Sequence, residues 1–257
     1  MHDPKKRFST AAGLYHRYRP GYPDALIDWI IAKAGLKSGD AVADIGCGTG
    51  ISARALAKRG LIISGVDPNE EMLSYARTES APNVNFRQGS AEKTGLPDHA
   101  FAAVTVAQAF HWFDVEPTLA EFARILRSGG RCFAFWNMRT EGPMNDEYEV
   151  LLNTFSTEYR QVSVRATEGT VRGSRTETEV RGSKRVRDWT EAEFTNRQVL
   201  DWEGFLGRVF SSSYVQHGVA DPEGMKRALR EHFDRHEHAG HITILYRVEA
   251  WCFGVAA

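Results

Sequence analysis

Apolar residues along this chain follow two alternating rhythms. Short unbroken apolar runs recur at "AVADIG" (41–46), "LIISGVD" (61–67), "VNFRQG" (84–89), "FAAVTVAQ" (101–108) and "RCFAFWN" (131–137). Runs of this length bounded by turn residues read as buried strands. Between them, apolar positions recur at helical spacing over 23–36, 50–60, 69–80 and 116–130. The helix ends carry their own marks. Pro23 and Asn69 stand at starts, Glu70 and Glu71 occupy a first turn where the macrodipole favours acids, and Gly60 and Gly130 stand at stops. Strands alternating with helices predict right-handed crossovers and a mainly parallel, doubly wound sheet.

Beyond residue 140 the alternation stops. Residues 145–162 read as a helix. Residues 165–188 have almost no large apolar group and read as a solvated, mobile loop; the two copies of "VRGS" at 171 and 180 are too few for a repeat. Residues 196–202 read as a strand and 203–213 as a helix. Residues 221–236 read as a helix capped by Asp221 with Pro222 at its first position, and 241–255 as a long last strand, antiparallel at or near the sheet edge. The division expected is a core with an N-terminal helix over 1–139, a cap and substrate segment over 140–195, and 196–257 completing the sheet.

Composition narrows the partners. In 257 residues with 42% apolar content the formal net charge is -1, so no global field draws the chain to nucleic acid or to acidic membranes. Three distant cysteines, Cys47, Cys132 and Cys252, argue against a disulfide scaffold or zinc knuckle and fit a reducing cytoplasm. The start "MHDPKKRFST" has no apolar core of a secretory signal, and no run approaches the ~20 apolar residues of a membrane span. The expectation is a cytoplasmic monomer or homodimer with no nucleic-acid or membrane partner.

The chemistry concentrates at strand ends. "VADIGCGTG" (42–50) is strand, glycine turn, helix. Gly46, Gly48 and Gly50 permit a tight turn and close approach of a ligand, and the helix start offers free N–H groups. Asp67 ends the second strand, where an acid accepts hydrogen bonds from ribose hydroxyls. The spacing is G-x-G-x-G rather than G-x-G-x-x-G, and Asp44 would repel a pyrophosphate while suiting an ammonium. No G-x-x-x-x-G-K-[ST] is present, nor a tyrosine with lysine four residues later. From the residues alone an NAD-dependent oxidoreductase and a non-catalytic nucleoside-binding module stay open beside a transferase.

Taken together, these motifs resemble class I S-adenosylmethionine-dependent methyltransferases. D-x-G-x-G-x-G at Asp44–Gly50, "GVDPNEEML" (65–73), "GSAEKTGLPD" (89–98), "AQAFHWFD" (107–114) and "RILRSGGRCFAFW" (124–136) follow in the family's order. A narrower similarity, in "YHRYRPGYP" (15–23) and "GRVFSSSYV" (207–215), is to the trans-aconitate-type small-molecule branch. The resemblance implies a Rossmann-like seven-stranded sheet with an antiparallel last strand and a helical cap. It implies S-adenosyl-L-methionine held by Tyr15, Arg19, Asp44, Gly46, Cys47, Gly48, Thr49, Gly50, Asp67, Pro68, Met72, Ser90, Ala91, Glu92, Gln108, Ala109 and Phe110. Substrate contacts are expected from Trp112, Trp136, Arg139, Arg208 and Tyr214. Ser90 stands where an Asp or Asn is often found.

Transfer of a methyl from a sulfonium needs positioning and exclusion of water above all. A carboxylate acceptor needs cations and no base; a phenol or enol needs a base, and His111 is the one histidine at a predicted active strand end. The sequence between residues 107 and 110 lacks the [DNS]-P-P-[YF] of nucleobase-amine methylation and the acid of metal-dependent catechol enzymes. His232 and His236 have i,i+4 spacing, but Phe233 replaces the Glu of H-E-x-x-H, so the group with His238 and His241 reads as a solvated helix end and no metal is expected.

Overall fold

The structure is a computed structural model that describes residues 12–79, 81–162 and 171–256. Its framework is a sheet of seven strands in the order β3-β2-β1-β4-β5-β7-β6. The strands are β1 Ala41–Ile45, β2 Ile62–Asp67, β3 Val84–Gln88, β4 Phe101–Ala107, β5 Leu126–Arg139, β6 Val186–Leu200 and β7 Ile242–Val255. β1 to β5 pair in parallel, whereas β7 runs antiparallel to both neighbours. The central strands are unbroken apolar runs because helices cover both faces. On one face α2 (Asp24–Ala34) and α3 (Ile51–Ala57) seal Val42, Ile63, Phe133 and Phe135. On the other, α5 (Val115–Ile125) seals Val104, Val106 and Ala134 with Leu119, Phe122 and Ile125. Strand order reverses between β1 and β4, which opens a crevice at their C-terminal ends.

The doubly wound architecture and the antiparallel β7 near the sheet edge agree with the sequence reading; β6 forms the edge itself. The second half differs more. The segment read as a mobile loop is largely ordered where the structure describes it; residues 163–170 lie outside the described residues. Ser174 Oγ accepts from the N–H of Glu177 at 3.0 Å and starts α8 (Arg175–Gly182), with α4 (Glu70–Thr78), α6 (Pro143–Phe155) and α7 (Tyr159–Val162) preceding it in the chain. Val171 and Val180 are buried in the main core. β6 then begins at Val186, ten residues earlier than expected. It is an edge strand with one solvated face, so charged residues alternate along it and mask its strand character. The predicted 116–130 helix stops at Ile125, because Leu126 is drawn into pairing with Phe101.

Downstream, α9 (Trp202–Phe210), α10 (Ser213–Gly218) and α11 (Pro222–His236) join α6 and α7 as a cap with its own core around Tyr148, Phe205, Leu229 and Tyr246. N-terminal α1 (Ala12–Tyr18) packs on α9 and α4 and so bridges cap and sheet. Among the described residues no helix is long and apolar enough to cross a membrane.

Glu249 on β7, 3% exposed, ties the described chain at residue 171 to the sheet. One carboxylate oxygen accepts from the N–H groups of Val171 (2.9 Å) and Arg172 (3.1 Å), the other from Arg247 (2.6 Å). Glu249→Ala leaves buried donors without an acceptor and is expected to lower the unfolding free energy by about 2–4 kcal/mol in urea melts. Stability within ~0.5 kcal/mol of wild type contradicts that role.

Candidate cofactor and substrate site

The glycine turn after β1 is built by left-handed backbone. Gly46, Gly48 and Gly50 have φ of +69°, +53° and +79°. The N–H groups of Gly46 and Cys47 both donate to Val66 O, at 2.8 and 3.1 Å, which folds the turn onto the end of β2. A Cβ at Gly46 would lie 2.6 Å from Ala109 Cβ, and one at Gly50 2.7 Å from Phe86 Cζ. At Gly48 it would approach Met72 Cε at 3.2 Å and project into the crevice. Only glycine meets both the backbone angle and the space.

Asp67 fixes this turn. Its Oδ2 accepts from Gly48 N–H at 2.9 Å and its Oδ1 from Asn69 N–H at 2.8 Å. Each oxygen keeps a further acceptor lone pair, and the residue lines the crevice. Burial raises its carboxyl to about 6, against the pull of the two N–H groups. Asn69 in turn caps α4 by accepting from the N–H groups of Glu71 and Met72.

Two adjoining cavities open over the turn, about 560 and 530 Å³ with the open solvent at their mouths counted in. The first is walled by Asp67, Pro68, Met72, Ala109 and Trp112. The second is walled by Arg19, Cys47, Ser52, Asn137 and Arg208. Tyr15, Gly46, Gly48 and Gln108 line both. Gln108 sits at φ +61°, a strained angle for a residue with a side chain, where β4 ends. Burial pushes the Cys47 thiol well up, so it fills space as a neutral group.

Several expected site residues stand elsewhere. Asp44 lines neither cavity: it is fully buried, Oδ2 accepting from Ser52 Oγ at 2.6 Å and Oδ1 from Thr105 Oγ1 at 2.8 Å. It clamps β1, β4 and the start of α3 from below, with burial raising its carboxyl to about 6. Thr49 is buried behind the turn. Ser90, Ala91 and Glu92 also lie outside both cavities. Ser90 and Lys93 close a tight turn on each other, Ala91 enters the core, and Glu92 accepts from Asp114 N–H. Phe110 is turned into the core against Phe122 by the short helical turn Phe110–Trp112, and Phe113 supplies the wall instead. Trp112, expected on the substrate, stands in the first cavity beside Asp67. Trp136 is buried against Trp251 and reaches the site only through its Nε1–H, which points at His111 Nδ1 at 3.4 Å. His111, the expected catalytic residue, also lines neither cavity; it is half-buried, and burial lowers it to about 4.

The cationic residues divide. Arg139 donates to Glu149 Oε2 at 2.8 Å and to Tyr159 at 2.7 Å, so its charge is compensated. Arg19 and Arg208 meet in the second cavity, both touching Ser212 Oγ, at 3.2 and 3.4 Å. Among the described residues neither has a carboxylate partner, and the Nε of each is buried without an acceptor. Burial, and next the charge of Arg208, push the Arg19 guanidinium down. Tyr214 lines neither cavity but belongs to the same cluster. Burial favours its neutral form, yet Arg139, Arg208 and Arg19 together bring its phenol below the usual value. Asn69 and Asn137 were missed as site residues because the sequence marks them only as a cap and a strand end.

Comparison with known proteins agrees with this geometry. Residues 43–134 match the family model of a methyltransferase domain. An uncharacterised methyltransferase of Mycobacterium tuberculosis is 42% identical over 139 residues, 54% of this chain and 55% of that protein. The chain thus spans about half the length of the curated relatives it matches. Among solved structures, one from Anaeromyxobacter dehalogenans named as a candidate type II methyltransferase superposes with a TM-score of 0.63 at 24% identity, covering 93% of this chain and 98% of that one. Phosphoethanolamine N-methyltransferase 2 of Haemonchus contortus, solved with S-adenosyl-L-methionine, gives 0.54 at 15% identity, covering 97% and 57%.

The buried Asp44 carboxyl yields a pH test. Its folded value of about 6 lies above the ordinary 3.8, so the folded protein holds this proton more tightly than the unfolded chain. The stability it contributes is full below pH ~4 and is lost as pH rises through ~6, a change on the order of 3 kcal/mol. Asp44→Asn removes this dependence. The difference in unfolding free energy between the two proteins should therefore shift toward the variant between pH 4 and 7, and a constant difference contradicts the assignment.

Residues 43–134, set on a Rossmann-like sheet, are thus similar to a methyltransferase domain.

Proposed function

We propose that the whole chain transfers the methyl group of S-adenosyl-L-methionine to a small organic acid. The observation that carries this reading is the pair Arg19, half-buried, and Arg208, fully buried, two guanidinium groups with no carboxylate partner among the described residues beside the glycine turn. A buried uncompensated charge is costly, and two are tolerated where an anion completes them.

The residues fit the cofactor. The space that a Cβ at Gly48 would fill admits the ligand backbone, and Asp67 offers its spare lone pairs to ribose hydroxyls. Met72, Ala109, Trp112 and Phe113 form an apolar slot for a flat base. Tyr15 and Arg19, stacked at 4.6 Å, face the amino-acid end, with Arg19 on its carboxylate. The bound cofactor supplies a methyl on a sulfonium, open to in-line displacement. Arg208 orients the acidic acceptor from the cap side, and α1 with α9 excludes water. A carboxylate oxygen is already nucleophilic at neutral pH, so positioning suffices.

His111 then serves as a donor rather than a base. With Nδ1 accepting from Trp136, the neutral ring carries its proton on Nε2. The rate–pH profile should show no inflection near ~6–7 assignable to it. An inflection there that disappears in His111→Phe overturns the donor role.

Methyl-labelled cofactor offered to pooled small carboxylic acids, amines and phenols tests the reading. Label is expected in acids, as ester. With the acid identified, Arg208→Gln should raise its KM by about 10- to 100-fold with cofactor affinity unchanged, whereas Arg19→Gln should weaken the cofactor. Label in amines or phenols alone, no transfer to any pool, or wild-type KM in Arg208→Gln would contradict it.

A further inference from the structure

The end of the cap helix α11 is not the solvated cluster that its sequence suggests. His232 is fully buried, 0% exposed, between the rings of Tyr148 and Phe205, and neither ring nitrogen has a hydrogen-bond partner. One turn later His236 stands on the same face. From the facing helix α6, Glu147 reaches into the gap between them. Its Oε2 is 2.9 Å from His236 Nε2 and 3.5 Å from His232 Nδ1, the latter without completing a hydrogen bond.

We propose that Glu147, His232 and His236 form a binding site for a divalent transition metal of the zinc class, which staples α6 to α11. Two imidazole nitrogens and one carboxylate oxygen are the donor set this class takes, with water in the fourth position. One ligand atom from each residue lies within 4.8 Å of the others. In a tetrahedral site with metal–ligand bonds of about 2.0–2.1 Å the donor atoms stand about 3.3 Å apart. The two distances from Glu147 straddle that value, and the separation of the two imidazole nitrogens is within 4.8 Å, so closing the site draws the two rings together around the carboxylate. A metal on His232 Nδ1 also answers the idle buried nitrogen, which otherwise represents an unexplained desolvation cost.

Arg235 is the competing group. Its Nη2 lies 3.1 Å and its Nε 3.4 Å from the same carboxylate oxygen. More than half exposed, it can swing to solvent as the metal enters through the accessible Glu147 side. Loading would reach further than a surface clamp. Tyr148 and Glu149 follow Glu147 on α6; Tyr148 stacks under Arg139 at 4.8 Å and Glu149 pairs with it. The site is independent of the methyl-transfer reading, and its test uses no cofactor or substrate.

The full chain, stripped with a chelator, is titrated with zinc chloride against a chromophoric competitor, and with cobalt chloride for the absorption of four-coordinate Co²⁺. One equivalent should bind, with the four-coordinate spectrum and a rise in melting temperature. Glu147→Gln and His236→Ala alter side chains that are 44% and 18% exposed and leave the buried His232 ring in place, and far-UV circular dichroism of the metal-free variants checks that both keep the fold. Each should weaken binding at least ~10-fold and abolish the thermal shift. Replacing His238 and His241 by Ala should change neither. Wild-type zinc affinity in Glu147→Gln and His236→Ala, binding lost only with His238 and His241, or no binding by the wild type would overturn the proposal.

Discussion

The hydrogen bond from Gly48 N–H to the Asp67 carboxylate, 2.9 Å long and buried, is the contact on which the site depends. It joins the ends of two neighbouring parallel strands and holds a turn that three left-handed glycines make possible. Parallel pairing of β1 and β2 brings Val66 O and Asp67 beneath the turn; no local sequence preference would do so. With the turn fixed, the start of α3 faces the crevice, and Asp44 supports it from behind through Ser52 and Thr105. Two acids at the ends of neighbouring strands thus divide the work. One shapes the surface that meets a ligand, and the other anchors the floor.

Charge is segregated across the crevice. The strand ends present Asp67 and apolar walls, and the cap side presents Arg19 and Arg208 without carboxylates among the described residues. α1 connects the halves, carrying Tyr15 to both cavities and placing Arg19 near Ser212 of the cap. Glu149 neutralises Arg139 and so removes from the ligand-facing set one of the three arginines that the sequence offers. What is left is a cavity lined by two arginines next to one walled by Asp67 and apolar side chains.

The first half of the fold was legible in the sequence because its signals are local. Apolar runs mark strands buried on both faces, and Asn69 and the glycines mark their turns. The later half was less so. β6 is an edge strand whose charged alternation resembles a loop, and α8 rests on Ser174 and Glu177, a capping pair lost among polar neighbours. The site followed the same division. Gly46, Gly48, Asp67, Pro68, Met72 and Gln108 stand in the cavities as motif order implied. Phe110, Trp136 and Asp44 carry the right chemistry at the right strand ends, but their side chains turn away from the crevice. That choice of face is settled by packing against Phe122, Trp251 and Thr105, partners distant in sequence. His232 is the converse case, a polar residue on a charged helix that tertiary packing buries completely.

Calorimetric titration of the purified chain with S-adenosyl-L-methionine, and separately with NAD, addresses the central claim most directly. The G-x-G-x-G turn, the single ribose-side acid Asp67 and the cation Arg19 predict saturable one-to-one binding of S-adenosyl-L-methionine, weakened by Asp67→Ala, and no heat from NAD. Binding of NAD with none of S-adenosyl-L-methionine, or affinity unchanged by Asp67→Ala, would contradict it.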